Sequence, residues 1–147
     1  MVSREGVVVI SFEFVLYCLL AAGLYLLVIS FVLEWVERLL NLRALLPEGM
    51  AEKTGVGMII SNFILEVLFY VAIPTLIYSF FYFLIPFSGF RAGMAATLFA
   101  FVLGTAPTIM GLSVRVKLPL PYLLFVMLSV LIKLGGCMLI IAYLYSL

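Results

Sequence analysis

Four long apolar runs, separated by short polar segments, dominate the pattern of hydrophobic and polar positions along the chain. The elements they predict are four helices at about residues 7–43, 58–85, 89–114 and 122–147, with a polar loop at 44–57. Each run has the roughly 20 residues that a helix needs to cross the hydrocarbon core of a bilayer. Because the later connectors are short, neighbouring helices must fold back on one another. We therefore predict an all-α, polytopic membrane protein with a single domain, built as an antiparallel bundle of four transmembrane helices.

The composition supports a lipid environment. Of the 147 residues, 67% are hydrophobic and 10% are charged, whereas a soluble domain usually has about a quarter of its residues charged. The formal net charge of +1 gives no concentrated basic face for nucleic acid. We expect the lipid bilayer as the main partner, no nucleic acid, and a multi-pass protein of the cell membrane.

The first apolar run changes character at its end. Glu34, Glu37, Arg38 and Asn41 follow helical spacing there, and Glu34 can pair with Arg38 one turn later. This pattern predicts either that the first helix continues out of the membrane or that a short surface helix bends along it.

The distribution of basic residues predicts the orientation. One side of the predicted bundle holds five basic residues and the other holds two; the five are Arg38, Arg43, Lys53, Arg115 and Lys117, and the two are Arg4 and Arg91. Since loops rich in Lys and Arg remain in the cytoplasm, we expect both termini on the non-cytoplasmic side.

Several residue types that carry chemistry are missing. The sequence has no histidine and no aspartate, and its two cysteines, Cys18 and Cys137, lie alone in apolar stretches. Histidine is the commonest general base and the commonest metal ligand, and no cysteine cluster or glycine-rich phosphate loop replaces it. We therefore expect no enzymatic activity, no cofactor and no metal site.

Four ionisable side chains lie inside the apolar runs, where such groups face the bundle interior or water. At 1.5 Å per residue, Glu66 and Lys133 lie ~13 Å and ~18 Å from the same face, which predicts an intramembrane pair near the middle of the bilayer. Glu13 and Arg91 both lie near the start of helices that enter from the opposite face, which predicts an interfacial pair. Buried opposite charges fix which helices are neighbours, or alternatively they mark an ion or proton pathway.

Small residues recur along the third helix. They predict a face on which another helix can approach closely, and its members are Gly89, Ala92, Gly93, Ala96, Ala100 and Gly104. Either the other helices of this chain or a second copy of it can cover this face.

Two prolines, Pro74 and Pro107, lie inside predicted helices, where a proline removes one backbone hydrogen bond and kinks or breaks the helix. Residues 104–108 (Gly-Thr-Ala-Pro-Thr) fit two alternatives. One is an unwound segment with free carbonyls for a cation; the other is a proline kink in which threonines satisfy the backbone.

Two functional hypotheses follow. In the first, the chain is a non-enzymatic structural or assembly subunit, or a partner-binding component, of a membrane complex, and its charge pairs fix helix packing. In the second, it is a small homo-oligomeric transporter or channel that uses Glu66 and Lys133 as an intramembrane ion or proton site. The partner is another membrane protein in the first case and further copies of this chain in the second.

Overall fold

The computed structural model describes residues 12–46, 56–81 and 89–146, and these residues form helices and turns without a strand. Helix α1 is Phe12–Leu39 and helix α4 is Leu120–Ser146. Helix α2 consists of three joined segments, Val56–Val67, Leu68–Ala72 and Ile73–Phe81. Helix α3 likewise consists of Gly89–Ala100, Phe101–Thr105 and Ala106–Val116. Each of the four contains a stretch of 22 to 28 residues that is long enough and apolar enough to span a membrane. Parts of the predicted elements lie outside the described residues. They are the ends of the predicted helices at residues 7–11, 82–85 and 147, and most of the predicted loop at 44–57.

Helix α1 ends earlier than residue 43, where the sequence pattern placed its end. The last helical residue is Leu39, and Asn41 adopts the left-handed conformation with φ 47°. Asparagine tolerates this conformation better than most residues, so the chain turns here and continues in a 3₁₀ turn, Leu42–Leu45. Leu42 is buried, which holds the turn against the bundle.

The two prolines do not break their helices. In α2, Leu68–Ala72 forms a π-helical turn in which the Ile73 N–H donates to the Leu68 carbonyl, and Pro74 follows directly. A proline ring clashes with the carbonyl four residues earlier, and the wider π turn moves that carbonyl away. The Thr75 hydroxyl then donates to the Val71 carbonyl at 2.7 Å.

Helix α3 repeats this arrangement. A π turn at Phe101–Thr105 precedes Pro107, and the Thr108 hydroxyl donates to the Gly104 carbonyl at 2.7 Å. The segment 104–108 is therefore helical rather than unwound. Both prolines are accommodated by one extra residue in the preceding turn and by a threonine that follows.

The packed core occupies one end of the bundle. Helix α4 is central and packs most closely against α3 and α1. The buried apolar side chains of this core cluster are Ala22, Leu26, Val71, Tyr78, Ala92, Cys137, Ile141 and Ala142. Many large apolar side chains on all four helices remain exposed, a pattern that is typical of helices that span a membrane.

The small-residue face of α3 is buried in its first part and exposed in its second part. Ala92 and Gly93 are buried against α4, whereas Ala100 and Gly104 are exposed. Residues four apart in an α-helix with 3.6 residues per turn drift by about 40° per step, so a row read off the sequence rotates away from α4 after two or three steps. Gly89 and Ala96 are half-buried on the packed side.

Gly93 marks the tightest approach of α3 to α4, which leads to a stability prediction. A Cβ atom at this position would lie 3.0 Å from the Leu139 Cα and 3.1 Å from the Met138 carbonyl oxygen, both backbone atoms that cannot move alone. We expect Gly93→Ala to destabilise the protein by about 1–3 kcal/mol, the usual cost of overpacking. The measurement is the midpoint of thermal unfolding in detergent.

Gly111→Ala is the matched control, because nothing lies within 4 Å of a Cβ atom at Gly111 on the same helix. Equal midpoints for the two variants would contradict the close approach of α3 and α4.

Candidate functional site

An ion pair and a hydrogen bond join three helices at the level of Glu66. The Lys133 ammonium on α4 donates to Glu66 Oε1 on α2 at 2.5 Å. The Ser30 hydroxyl on α1 donates to the other carboxylate oxygen, Oε2, at 2.9 Å. Both oxygens of Glu66 therefore accept a hydrogen bond, and the two donors come from different helices.

This pair is not fully buried in the protein. The side chain of Lys133 is 14% exposed and that of Glu66 is 29% exposed, which differs from the burial that the sequence predicted. A partly exposed pair has a smaller desolvation cost than a dry one. The exposed part of each group faces a cavity.

The second predicted pair is not formed. Glu13 and Arg91 are both exposed, and no ion pair among the described residues involves either of them. Both side chains lie near the ends of their helices, where a charged group can reach water without a protein partner. Depth in the sequence was therefore insufficient to predict a contact there.

The cavity beside Glu66 has a volume of about 530 Å³ and lies between α1, α2 and α4. It extends from the Glu66–Lys133 pair to the opposite end of the bundle from the packed core. Most of its wall is apolar, and the polar side chains that line it are Ser30, Glu34, Glu37, Arg43, Asn62, Glu66, Tyr70, Tyr122, Ser129 and Lys133.

The cavity exists because the first segment of α2 stands apart from α4. The backbone of Val56–Val67 makes no close approach to α4, whereas the π turn Leu68–Ala72 and the segment after it do. The long side chains of Glu66 and Lys133 bridge this gap. π turns occur frequently at functional sites, and this one lies where the packing of α2 against α4 changes.

The inner end of the cavity is closed by the packed core. The Tyr25 hydroxyl on α1 donates to the Ile132 carbonyl on α4 at 3.0 Å, and the tyrosine ring lies directly on Gly136, where any Cβ atom would collide with it. The thiol of Cys137, one residue further along α4, is buried and contacts the Ala22 carbonyl. Polar access to the pair is therefore from one end of the bundle.

A second group of charges lies at the open end. Glu34 pairs with Arg38 at 2.6 Å, as the spacing of these residues predicted, and Arg43 contacts Glu37 through Nε at 3.2 Å and through Nη2 at 3.3 Å. The hydrogen bonds that Arg43 donates to the Glu37 carboxylate raise the pKa of Arg43 above its usual value, so the guanidinium stays charged. The turn at Asn41 is what brings Arg43 back to α1.

Three polar residues of the cavity were not predicted from the sequence, although a signal for them is present: Ser30, Asn62 and Ser129. Asn62 precedes Glu66 by four residues and Ser129 precedes Lys133 by four, so each lies on the same helix face as the charged group. Ser30 and Glu34 share a face of α1 in the same way. Polar residues at helical spacing from a charge in an apolar run indicate that this face of each helix is polar.

Comparison with known proteins gives no relative: no protein-family model and no curated protein matches the sequence, and no solved structure matches the fold. The function of the chain is therefore inferred from its own geometry.

The cavity leads to a prediction about chemical accessibility. Asn62 is exposed and lines the cavity, whereas Cys18 and Cys137 are completely buried. We expect the thiol of Asn62→Cys to react with a charged, water-soluble maleimide in the folded protein, while both native cysteines remain unmodified. Mass spectrometry of the labelled protein provides the measurement.

The control is the same reaction after denaturation, in which all three thiols should react. A thiol at position 62 that reacts only after denaturation would show that the cavity is closed to water.

Proposed function

We propose that the chain inserts into a membrane as an antiparallel four-helix bundle with both termini on the non-cytoplasmic side. The exposed apolar side chains on every helix support insertion, because soluble proteins rarely expose so large an apolar surface to water. Contacts support the helix directions: Glu66–Lys133 and Ser79–Tyr145 have nearly the same offset in sequence, as in parallel α2 and α4. The excess of Lys and Arg at the open end of the cavity supports a cytoplasmic location for that end.

In this membrane protein, we propose a non-enzymatic role as a structural or assembly component of a larger complex. The observation that carries this proposal is the Ser30–Glu66–Lys133 network, which connects α1, α2 and α4 through charged and hydrogen-bonded groups at mid-helix. Such a network selects one arrangement of helices over others, because each alternative arrangement leaves a charge unpaired in apolar surroundings.

The second half of α3 supports contact with a partner. Beyond Ala100 its side chains are largely exposed: Leu103 is 74% and Val114 is 81% exposed, and Gly104 has nothing within 4 Å of a Cβ position. Small residues on an exposed membrane helix permit close approach of another helix. This half of α3 is the surface that we assign to a partner subunit.

Removing either charge of the network should destabilise the bundle. We expect Glu66→Gln and Lys133→Met each to lose about 1–3 kcal/mol of stability, because each variant leaves one unpaired polar group, and the double variant to lose less than the sum. The double-mutant cycle, measured by unfolding in detergent, should give a coupling energy of about 0.5–3 kcal/mol. Additive effects would contradict a direct role of the pair in packing.

A transporter or channel remains the second candidate, and the cavity that reaches Glu66 from one end of the bundle is the observation in its favour. The variants above also distinguish the two functions. If the reconstituted protein conducts ions or protons, and if Glu66→Gln abolishes that flux at a temperature where the variant is folded, the second function is correct and the first is wrong.

The assigned partner surface gives a further prediction. Gly104→Leu should leave the stability of the isolated chain unchanged, because the position is open, yet release the chain from its complex in native membranes. Native gel electrophoresis of the solubilised membranes measures this release. Gly23→Leu is the control, since it places the same side chain at another position with nothing within 4 Å. A complex that survives Gly104→Leu would exclude this surface.

A further inference from the structure

The first segment of α2, Val56–Val67, is packed much less tightly than the rest of that helix. Among the described residues outside α2, its backbone closely approaches only α1, and none of its described side chains is buried. From Val71 onward, by contrast, α2 approaches both α1 and α4, and its buried residues there are Val71, Pro74, Thr75, Tyr78 and Ser79. A segment with few buried contacts is the part of a structure that opens at the lowest cost in free energy.

The junction between the two parts of α2 is suited to bending. The π turn Leu68–Ala72 interrupts the α-helical pattern of hydrogen bonds, and Pro74 has no N–H to donate to the carbonyl four residues earlier. Sharp bends in helices occur at prolines and at π turns, and both features are present at this junction. The segment Val56–Val67 can therefore tilt as a rigid rod about it.

This segment forms one wall of the cavity, and the residues that it contributes are Ile59, Ile60, Asn62, Phe63 and Glu66. A tilt of the segment therefore changes the width of the cavity and of the gap between α2 and α4. Ser61 precedes the π turn by ~10 Å along the helix axis, at 1.5 Å per residue. A change of about 20° in the bend, the size of an ordinary kink, would move Ser61 by roughly 3–4 Å.

Glu66 holds the segment at its present angle. It is the one residue of Val56–Val67 whose side chain is hydrogen-bonded to other helices in the described part of the chain, to Ser30 on α1 and to Lys133 on α4. Because Glu66 lies directly before the π turn, a small movement of its carboxylate is enlarged toward Val56. The two bonds therefore set the angle of a lever.

We propose that Val56–Val67 is a hinged lid over the cavity, which turns about the junction at Leu68–Ala72 and Pro74 and is held closed by the bonds of Glu66 to Lys133 and Ser30. Breaking these bonds lets the lid tilt away from α4 and widens the cavity, while the packed core keeps its arrangement. The proposal goes beyond the assembly role, because it gives the network control over a moving part.

Distances between pairs of nitroxide labels on the purified, full-length protein test the proposal. The lid distance joins Ser61→Cys to Leu128→Cys on α4; both positions are exposed and neither lines the cavity. The core distance joins Ile77→Cys, in the last segment of α2, to Tyr143→Cys on α4, again at exposed positions. Because the two native cysteines are completely buried, mass spectrometry should find two labels per chain. Double electron–electron resonance measures both distance distributions.

Breaking the network should change the lid distance alone. We expect Lys133→Met and Glu66→Gln each to lengthen or broaden it by about 3–4 Å, the displacement calculated above for a tilt of about 20°, and to leave the core distance unchanged. Ser30→Ala keeps the ion pair and should produce a smaller change of the same kind. Each measurement is made below the thermal midpoint of the variant, so that the protein is folded.

Glu13→Gln is the matched control, because Glu13 is exposed and has no ion pair among the described residues. It should change neither distance.

Two results would overturn the proposal. A lid distance that is the same in the original chain and in all the network variants would show that the network does not hold the segment. Lid and core distances that change together would show that the whole bundle loosens and that the junction is not a hinge. Neither result depends on whether the chain assembles into a complex, which the native gels measure separately.

Discussion

The contact between the Lys133 ammonium and the Glu66 carboxylate is the constraint on which the arrangement of the helices depends. Lys133 lies in the middle of α4 and is the one charged residue of that helix. A charge in such surroundings is costly unless an opposite charge and hydrogen bonds compensate it. Ser30 completes the compensation, so α1, α2 and α4 are all constrained at one level.

This constraint acts where the backbones are not in contact. The first segment of α2 stands away from α4, and the pair spans the separation with its side chains. One half of the bundle is consequently a close-packed core, in which Tyr25 lies on Gly136 and Gly93 lies against the α4 backbone. The other half is a cavity with polar groups at both ends. The network at Glu66 forms the boundary between them.

Much of this organisation is predictable from the sequence, and the exceptions have physical reasons. Hydropathy locates the four helices, and depth along them places Glu66 and Lys133 at similar levels. Their contact was predictable because an isolated charge in an apolar run has few alternative partners. Similar depth does not bring Glu13 and Arg91 together, since charged groups near helix ends can be solvated by water. The cavity could not be predicted, because it depends on where two backbones separate, and hydropathy carries no information on that separation. The prolines indicate where α2 and α3 are distorted, but not that one additional residue per turn absorbs the distortion.

The π turn in α2 has a consequence for how the two halves of the molecule tolerate mutation. Leu68–Ala72 separates the segment that lines the cavity from the segment that carries the buried residues Thr75 and Tyr78. On α2 the cavity positions lie at or before this turn and the fully buried positions lie within or after it, and Tyr70 in the turn takes part in both. Substitutions at cavity positions before the turn should therefore leave most of the side chains that pack the core unchanged, so that the shape of the cavity can vary with little effect on folding.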